Sequence, residues 1–191
     1  MKNIYIDVET TGLNPSTCAI WQLSGIIEID GIEREIFNLF ARPDPDQTIN
    51  IAAMDATKYT LEKLIKHTLS QADLYLRFLY ILDTYINKFD KNDKFNFIGY
   101  NSHSFDSNFI RALFTRNNNN FYGSYFYYPS IDVMILAAFA AIGQRDKLSD
   151  FKLTTVAESL GLTVDIAKAH NALYDVELTR DIYKLIVKEF K

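Results

Sequence analysis

The amino-acid sequence predicts an α/β fold built around one mixed β-sheet. Three segments near the start have the pattern of consecutive strands, and later a short apolar strand alternates with amphipathic helices. A meander of neighbouring strands pairs antiparallel, whereas strands separated by helices pair parallel, so the two patterns together predict a mixed sheet with helices on its faces. No change in composition suggests a linker, and we expect one domain over residues 1–191.

The first half of the chain supplies the meander and the first helices. Its predicted strands cover residues 3–9, 19–30 and 33–40. Asp30-Gly31 is a strong signal for a hairpin turn between the second and third strands. Thr60 is a candidate N-cap. A longer helix is predicted to begin at Ser70 and to run to about residue 89, because its apolar residues recur at helical spacing.

The second half interleaves one strand with several helices. Residues 95–100 (FNFIGY) form a short apolar run that predicts a buried strand, parallel to the first. Residues 117–129 are rich in asparagine and aromatic residues, and the sequence does not decide between a substrate-facing loop and a dimer contact. Predicted helices cover residues 105–114, 132–142, 154–160 and 172–190.

Composition excludes some classes of protein. Hydrophobic residues make up 48% and charged residues 23% of the chain, which is typical of a globular domain. The net charge of −4 argues against a broad surface that binds duplex nucleic acid by charge alone. Cys18 is the one cysteine, so no intrachain disulfide forms, and no segment has the roughly 18 apolar residues of a membrane span. We therefore expect a cytoplasmic protein with no membrane association.

Two acidic residues mark the end of the first predicted strand. Asp7 and Glu9 are two apart, so their side chains lie on the same face of the strand. Two adjacent carboxylates repel each other unless a cation lies between them, and Mg²⁺ or Mn²⁺ are the cations that prefer oxygen ligands. An isolated pair of this kind is more often a solvated strand end. The following Thr10-Thr11-Gly12 favours a site, because a turn there offers hydroxyl and backbone donors to a phosphate.

Two further acidic residues follow predicted helix starts. Asp106 comes after the strand at 95–100, where ligands bind in open α/β sheets, although an aspartate in the first turn of a helix also has an ordinary capping role. Asp175 lies in an apolar stretch of the terminal helix. His170, in the loop before it, could serve as a general base or be an ordinary polar loop residue.

In combination, these segments resemble the DEDDh branch of the ribonuclease-H-like (DnaQ-like) 3′–5′ exonucleases. The three motifs are Asp7-Val-Glu9-Thr-Thr-Gly-Leu13, Asn101 to Asp106, and His170 with Asp175 five residues later. They occur in the family's order over residues 4–185. Residues 51–64 are similar to a further family segment, in which Lys58 stands where glycine is usual. The resemblance implies a ribonuclease-H-like mixed sheet of five strands, flanked by helices.

The resemblance also implies a catalytic machinery. Asp7, Glu9, Asp106 and Asp175 would be the catalytic carboxylates and the ligands of two Mg²⁺ or Mn²⁺ ions. His170 would accept the proton of the attacking water. The products would be nucleoside 5′-monophosphates.

The substrate is expected to be a single-stranded nucleic-acid 3′ end, gripped near the catalytic residues. By resemblance, the backbone of Thr10 and Thr11 would contact the terminal 3′-hydroxyl, while Leu13 and Phe105 would pack on the terminal bases. Phe105 has simple core packing as its alternative. Asn101 would support the site by hydrogen bonding.

Several alternatives remain open at this stage. We favour DNA as substrate, with an RNA exonuclease of the oligoribonuclease or ribonuclease T type as the alternative, because the deciding contact is to a single 2′-hydroxyl. A binding module that has lost catalysis is a third class. The chain ends directly after its predicted terminal helix, so a polymerase partner is not indicated. A homodimer is an alternative that the sequence does not decide.

Overall fold

The centre of the protein is a five-stranded mixed sheet, seen in a computed structural model that describes residues 1–57 and 59–189. Its strands are β1 (Lys2–Thr10), β2 (Ile20–Ile29), β3 (Ile32–Phe40), β4 (Asn96–Gly99) and β5 (Ile131–Asp132). In space their order is β3-β2-β1-β4-β5. The meander β1-β2-β3 is antiparallel, and β4 is parallel to both β1 and β5. The predicted ribonuclease-H-like sheet of five strands is therefore confirmed.

Helices cover both faces of this sheet. They are α1 (Ile51–Thr57), α2 (Leu61–Ile65), α3 (Gln71–Tyr85), α4 (Asp106–Arg116), α5 (Val133–Ala140), α6 (Leu153–Ser159) and α7 (Ala172–Glu189). Alternate residues of β1 point to opposite faces. Ile4 and Ile6 pack with residues of α3 and α4, whereas Tyr5 packs with residues of α5, α6 and α7. Asp7 and Glu9 have the same parity as Tyr5, which places them on the α7 side of the sheet.

The turn and cap signals in the sequence are confirmed. Asp30 and Gly31 both have positive φ (52° and 79°), as the two central residues of a tight hairpin turn require. The hydroxyl of Thr60 accepts a hydrogen bond from the backbone N–H of Lys63 at the start of α2. Ser70 begins α3 with a reciprocal capping box that includes Asp73.

The prediction of the end of α3 was wrong by about one turn. The helix ends at Tyr85, not near residue 89, and Ile86 is extended (φ −119°, ψ 127°) and buried. The ammonium of Lys2 donates to the carbonyl oxygen of Tyr85 at 2.6 Å and also pairs with Asp93. A contact between β1 and the segment beyond the helix therefore satisfies a C-terminal carbonyl, and helical periodicity does not reveal it.

Two short elements were not predicted from the chain pattern. β5 has two residues, too few for any alternation to be visible, and α1 lies in a segment that was matched by resemblance alone. Two sequence expectations, the departure at Lys58 and the extension of the last helix to Phe190, lie outside the described residues. Within 1–57 and 59–189, no helix has the length and apolar character needed to cross a membrane.

Candidate active site

The site begins where β1 extends beyond its parallel neighbour. β4 pairs with β1 only at residues 3–5 of β1, so the following residues have no strand beside them on that edge. The carboxylate of Asp106 takes the place of a strand there, because its Oδ1 accepts the backbone N–H of Val8 at 3.0 Å. Asp106 is 2% exposed. This bond brings the second motif against the strand that carries Asp7 and Glu9.

A tight loop between β4 and α4 positions Asp106. Asn101 has a positive φ of 56°, and its backbone N–H donates to Asp132 Oδ1 at 3.0 Å. The other oxygen of Asp132 accepts the N–H of His103 at 3.3 Å. Asp132 also caps α5 by accepting the N–H of Met134. Sequence reasoning had placed Asp132 only as the first residue of a helix, so its role in holding the loop between β4 and α4 was missed.

The third segment reaches the site at the start of α7. His170 has a φ of 66°, and its backbone N–H donates to Asp175 Oδ2 at 3.2 Å. Asn171 uses its side-chain oxygen to accept the N–H of Leu173, which fixes the first turn of the helix. The backbone of His170 and the carboxylate of Asp175 are thereby held together, while the imidazole remains exposed.

Ligand atoms from two segments meet at one point. One carboxylate oxygen of Glu9, one ring nitrogen of His170 and one carboxylate oxygen of Asp175 all lie within 4.8 Å of one another. Asp7 and Asp106 adjoin this group but lie outside the 4.8 Å set. The structure thus brings together all five side chains that the sequence singled out, and it adds the imidazole to the set of groups able to hold a metal ion.

The four acidic side chains of the site have raised pKa values. Burial is the largest cause at each position. It acts with repulsion from Asp106, Glu9 and Asp175 to raise the pKa of Asp7 well above its ordinary value. Burial and repulsion from Asp175 and Asp106 raise the pKa of Glu9 to about 8. Burial raises the pKa values of Asp106 and Asp175 to about 7, although donated backbone N–H groups oppose the shift.

These shifts show what kind of group would fit the site. Four carboxylates that destabilise one another in their ionised form are stabilised when a cation neutralises them. Carboxylate oxygens are the ligands that Mg²⁺ and Mn²⁺ prefer, and a neighbouring imidazole is compatible with Mn²⁺. The donor set therefore fits one or more hard divalent cations.

A cavity opens directly onto these residues. It has a volume of about 720 Å³, and its lining includes Asp7, Asn101, His170 and Asp175. The lining also includes Phe151, from the segment before α6. Cavities of this size hold small organic ligands. Of the five predicted substrate-binding residues, Asn101 lines this cavity.

The two threonines after Glu9 are both buried, and both of their hydroxyls are hydrogen-bonded. The hydroxyl of Thr11 donates to Thr48 O at 2.7 Å and accepts the N–H of Ala19 at 2.9 Å, and the residue is fully buried. Its backbone N–H and carbonyl are also bonded, to Ala19 and Asn50. The hydroxyl of Thr10 donates to Gly12 O at 2.7 Å. Thr11 is thus fully engaged in shaping the turn.

The two predicted base-packing residues also differ. The side chain of Leu13 is 79% exposed, so it is available to a ligand. Phe105 is partly buried and packs against Phe109, with ring centroids 4.9 Å apart. Phe105 therefore contributes to the core beneath α4 and keeps part of its surface open to solvent.

The sheet topology is that of the ribonuclease-H-like nucleases, and the buried acidic cluster beside β1 fits that class. A family model described as an exonuclease and named for ribonuclease T matches residues 4–183. The chain belongs to this exonuclease family, within the DnaQ-like 3′–5′ exonuclease superfamily.

Curated relatives include a ribonuclease T and a DNA polymerase. Ribonuclease T of Buchnera aphidicola subsp. Baizongia pistaciae is 28% identical over an alignment 199 positions long, which covers 98% of this chain and 84% of that protein. The PolC-type DNA polymerase III of Pediococcus pentosaceus is 24% identical over 188 residues, which cover 98% of this chain and 11% of that protein.

Solved structures with a similar fold include those of exonuclease I of Escherichia coli. In complex with a dT13 oligonucleotide, that structure matches with a TM-score of 0.78 and 21% identity over 97% of this chain. Its zinc-bound complex with single-stranded DNA matches with a TM-score of 0.79 and 20% identity over 98% of this chain. The chain spans 40% of either one. At this identity the likeness establishes the fold alone.

Proposed function

We propose that residues 1–191 form a single exonuclease domain that removes nucleotides from the 3′ end of single-stranded nucleic acid in a reaction dependent on divalent metal ions. The observation that carries the proposal is the convergence of four carboxylates from three separate segments, with pKa values raised by burial at all four and by repulsion within the cluster at Asp7 and Glu9. Membership of a 3′–5′ exonuclease family supports the same reaction class.

The four carboxylates would hold two Mg²⁺ or Mn²⁺ ions. Asp7, Glu9 and Asp175 would hold these ions together with Asp106. When bound, such ions supply charge stabilisation to the attacking and leaving oxygens of a phosphodiester. The N–H of Val8 holds one oxygen of Asp106 in place.

His170 is assigned as the general base. Its imidazole is exposed and close to Glu9 and Asp175, so a water bound among these groups can give up its proton to a ring nitrogen. The hydrogen bond from the backbone N–H of His170 to the carboxylate of Asp175 keeps these two residues close together. Proton removal and charge neutralisation then occur at the same phosphodiester.

Binding of the terminal nucleotide is assigned to residues around the opening of the cavity. Asn101 lines the cavity next to Asp7, and Leu13 and Phe105 have surface available to pack against bases. Thr10 would contact the 3′-hydroxyl through its backbone. The saturated hydrogen bonds of Thr11 suggest that its part is to hold that turn in shape.

Single-stranded ends are the proposed substrate because terminal bases must separate to enter a cavity of this kind. Complexes of exonuclease I with oligonucleotides support a DNA strand, and we retain DNA as the first substrate. Relatedness to ribonuclease T over most of its length favours RNA as the second candidate. Both candidates use the same carboxylates and the same base.

End-labelled digestion tests the proposal. Matched DNA and RNA 20-mers, labelled at the 5′ end, are incubated with Mg²⁺, with Mn²⁺ and with EDTA, and products are resolved on a sequencing gel. We expect a ladder that shortens from the 3′ end, release of nucleoside 5′-monophosphates, and no reaction in EDTA. A blunt duplex of the same sequence should be degraded more slowly.

Matched variants on one helix supply the control. Asp175→Asn should abolish hydrolysis, whereas Asp181→Asn, at an exposed position of the same helix, should leave it intact. Three results would each overturn the proposal. They are cleavage inside the strand, unchanged hydrolysis by Asp175→Asn, and no hydrolysis of either DNA or RNA with either ion.

A further inference from the structure

A second cavity lies on the other side of the His170 loop. It has a volume of about 820 Å³, and we call it the aromatic cavity after its lining, which includes Trp21, Phe40, Tyr59, Lys63, His67 and Lys168. Ala169 and His170 line both this cavity and the one that contains Asp7 and Asp175. A ligand in the aromatic cavity would therefore lie next to the proposed general base.

Stacked rings form one wall of the aromatic cavity. Trp21 stacks on Tyr59 with centroids 4.0 Å apart and an interplanar angle of 20°. His67 stacks on Phe40 at 5.2 Å and lies 5.8 Å from Tyr59, whose hydroxyl is 2.7 Å from His67 Nε2. Phe40, Tyr59 and His67 are all partly exposed. Nearly parallel rings with open surface can accept one more planar ring.

The lining of the aromatic cavity contains two lysines, Lys63 and Lys168. Lys63 makes no ion pair with any residue in 1–57 or 59–189, and its ammonium lies 5.9 Å from the centroid of Tyr59. Lys168 is 3.6 Å from the carboxylate of Asp165. Glu177 is the acidic residue of the lining. Lys63 is therefore the cation most available to a phosphate.

The wall also contains an unsatisfied donor. Trp21 is 2% exposed, and its indole N–H has no hydrogen-bond partner among the described residues. A buried unpaired donor costs free energy. Such a group calls for an explanation, and a partner supplied by a ligand is one.

We infer that the aromatic cavity binds a nucleotide unit, with the base stacked on Tyr59 and Phe40 and the phosphate near Lys63. Base stacking on aromatic side chains is independent of sequence, which suits an exonuclease. The volume lies within the range of small-molecule sites. The inference rests on the proposed function, because the unit is either a released mononucleotide or a nucleotide of the bound strand.

Fluorescence of Trp21 tests this directly, because it is the single tryptophan of the chain. The protein is titrated with dAMP and with the trinucleotide dA3 in EDTA, so that no hydrolysis is expected. Saturable change in emission with dAMP assigns the cavity to the free mononucleotide. Saturable change with dA3 alone assigns it to the strand.

Variants distinguish the aromatic cavity from other binding sites. Lys63→Ala should weaken binding about fivefold or more, whereas Lys66→Ala, which removes a lysine paired with Glu62 outside the lining, should not. Tyr59→Leu should weaken binding about tenfold through lost stacking. Tyr59→Phe, which keeps the ring, should stay within about twofold. Calorimetry measures affinity in the Tyr59 variants, and thermal melting checks that they fold.

Two results would overturn the inference: no saturable change with either ligand, or equal affinity in wild type and Lys63→Ala. Hydrolysis measured on the same preparations separates this inference from the proposed function. Intact hydrolysis with no nucleotide binding in the aromatic cavity refutes the inference alone. Binding that depends on Lys63, without hydrolysis under any metal condition, refutes the proposed function alone.

Discussion

Replacing Glu9 with glutamine should make the metal-free protein more stable and the enzyme inactive. The pKa of Glu9 is raised to about 8 from an ordinary 4.5 by burial and by repulsion from Asp175 and Asp106. At pH 8 this raised pKa therefore lowers the free energy of unfolding by about 4 kcal/mol relative to a side chain that stays neutral. A buried amide without partners costs about 1–3 kcal/mol. The expected net gain in the free energy of unfolding is about 1 kcal/mol or more.

The assay is thermal melting in EDTA at pH 8, followed by hydrolysis with Mg²⁺. A gain of about 1 kcal/mol raises the Tm by roughly 2–4 °C in a chain of this size. The loss of one carboxylate from the metal set should lower the rate by about a thousandfold or more, since charge stabilisation by metal ions is worth several kcal/mol. Mg²⁺ should raise the Tm of the wild type and raise that of the variant far less.

Glu158→Gln is the matched control, since it makes the same substitution at an exposed position of α6. It should change neither the Tm nor the rate. The reasoning is refuted if Glu9→Gln melts below the wild type in EDTA at pH 8 while remaining folded at pH 5, because the carboxylate would then be stabilising in its ionised form.

The other predictions concern pH, the base and the loop that holds Asp106. In EDTA the Tm should fall as the pH rises from about 4 to 8. The reason is that the clustered carboxylates, with pKa values of about 7 to 8, keep their protons in the folded state and lose them in the unfolded state. Mg²⁺ should abolish this fall, and a Tm in EDTA that stays flat or rises with pH contradicts the prediction. His170→Ala should lower the hydrolysis rate about 10²- to 10⁴-fold with an unchanged Tm, since the side chain is exposed; a rate within threefold of wild type excludes it as the base. Asp132→Asn should lower the free energy of unfolding by about 1–2 kcal/mol and reduce the rate, because two N–H groups of the loop between β4 and α4 lose a carboxylate. Full activity in an initial-rate assay would show that this loop does not set the position of Asp106. Gly99→Ala should destabilise by about 1–3 kcal/mol in urea melts, because the new Cβ would lie 2.6 Å from the Cβ of Ser102; an unchanged midpoint contradicts it.

Local chemistry made most of the fold predictable. The Asp30-Gly31 turn, the Thr60 and Ser70 caps and the apolar strand at 95–100 each depend on a few neighbouring residues, and each appears in the structure. Elements decided by distant contacts were not predictable. The two residues of β5 become a strand only because β4 lies beside them, and α3 ends where Lys2 meets its last carbonyl.

The distinction between local and distant contacts applies to the candidate active site as well. Spacing alone placed Asp7 and Glu9 on one face, because strand geometry is local. The contribution of Asp132 to the loop at Asn101 joins residues 31 positions apart, and the sequence offered only a capping signal for it. Likewise, the hydrogen bonds of Thr11 join it to Ala19, Thr48 and Asn50, which lie outside the motif. The motif alone therefore could not show that Thr11 is buried.

The position of the acidic cluster follows from an incomplete sheet. β4 stops pairing with β1 at Tyr5, which leaves the backbone N–H of Val8 without a strand partner. A buried N–H must be satisfied, and here a carboxylate oxygen of Asp106 satisfies it. The same short pairing therefore opens the edge of the sheet for a ligand and draws the second motif to the first. If the pairing of β4 with β1 continued as far as Val8, the backbone of β4 would compete for that N–H, and Asp106 would lose the donor that holds it beside β1.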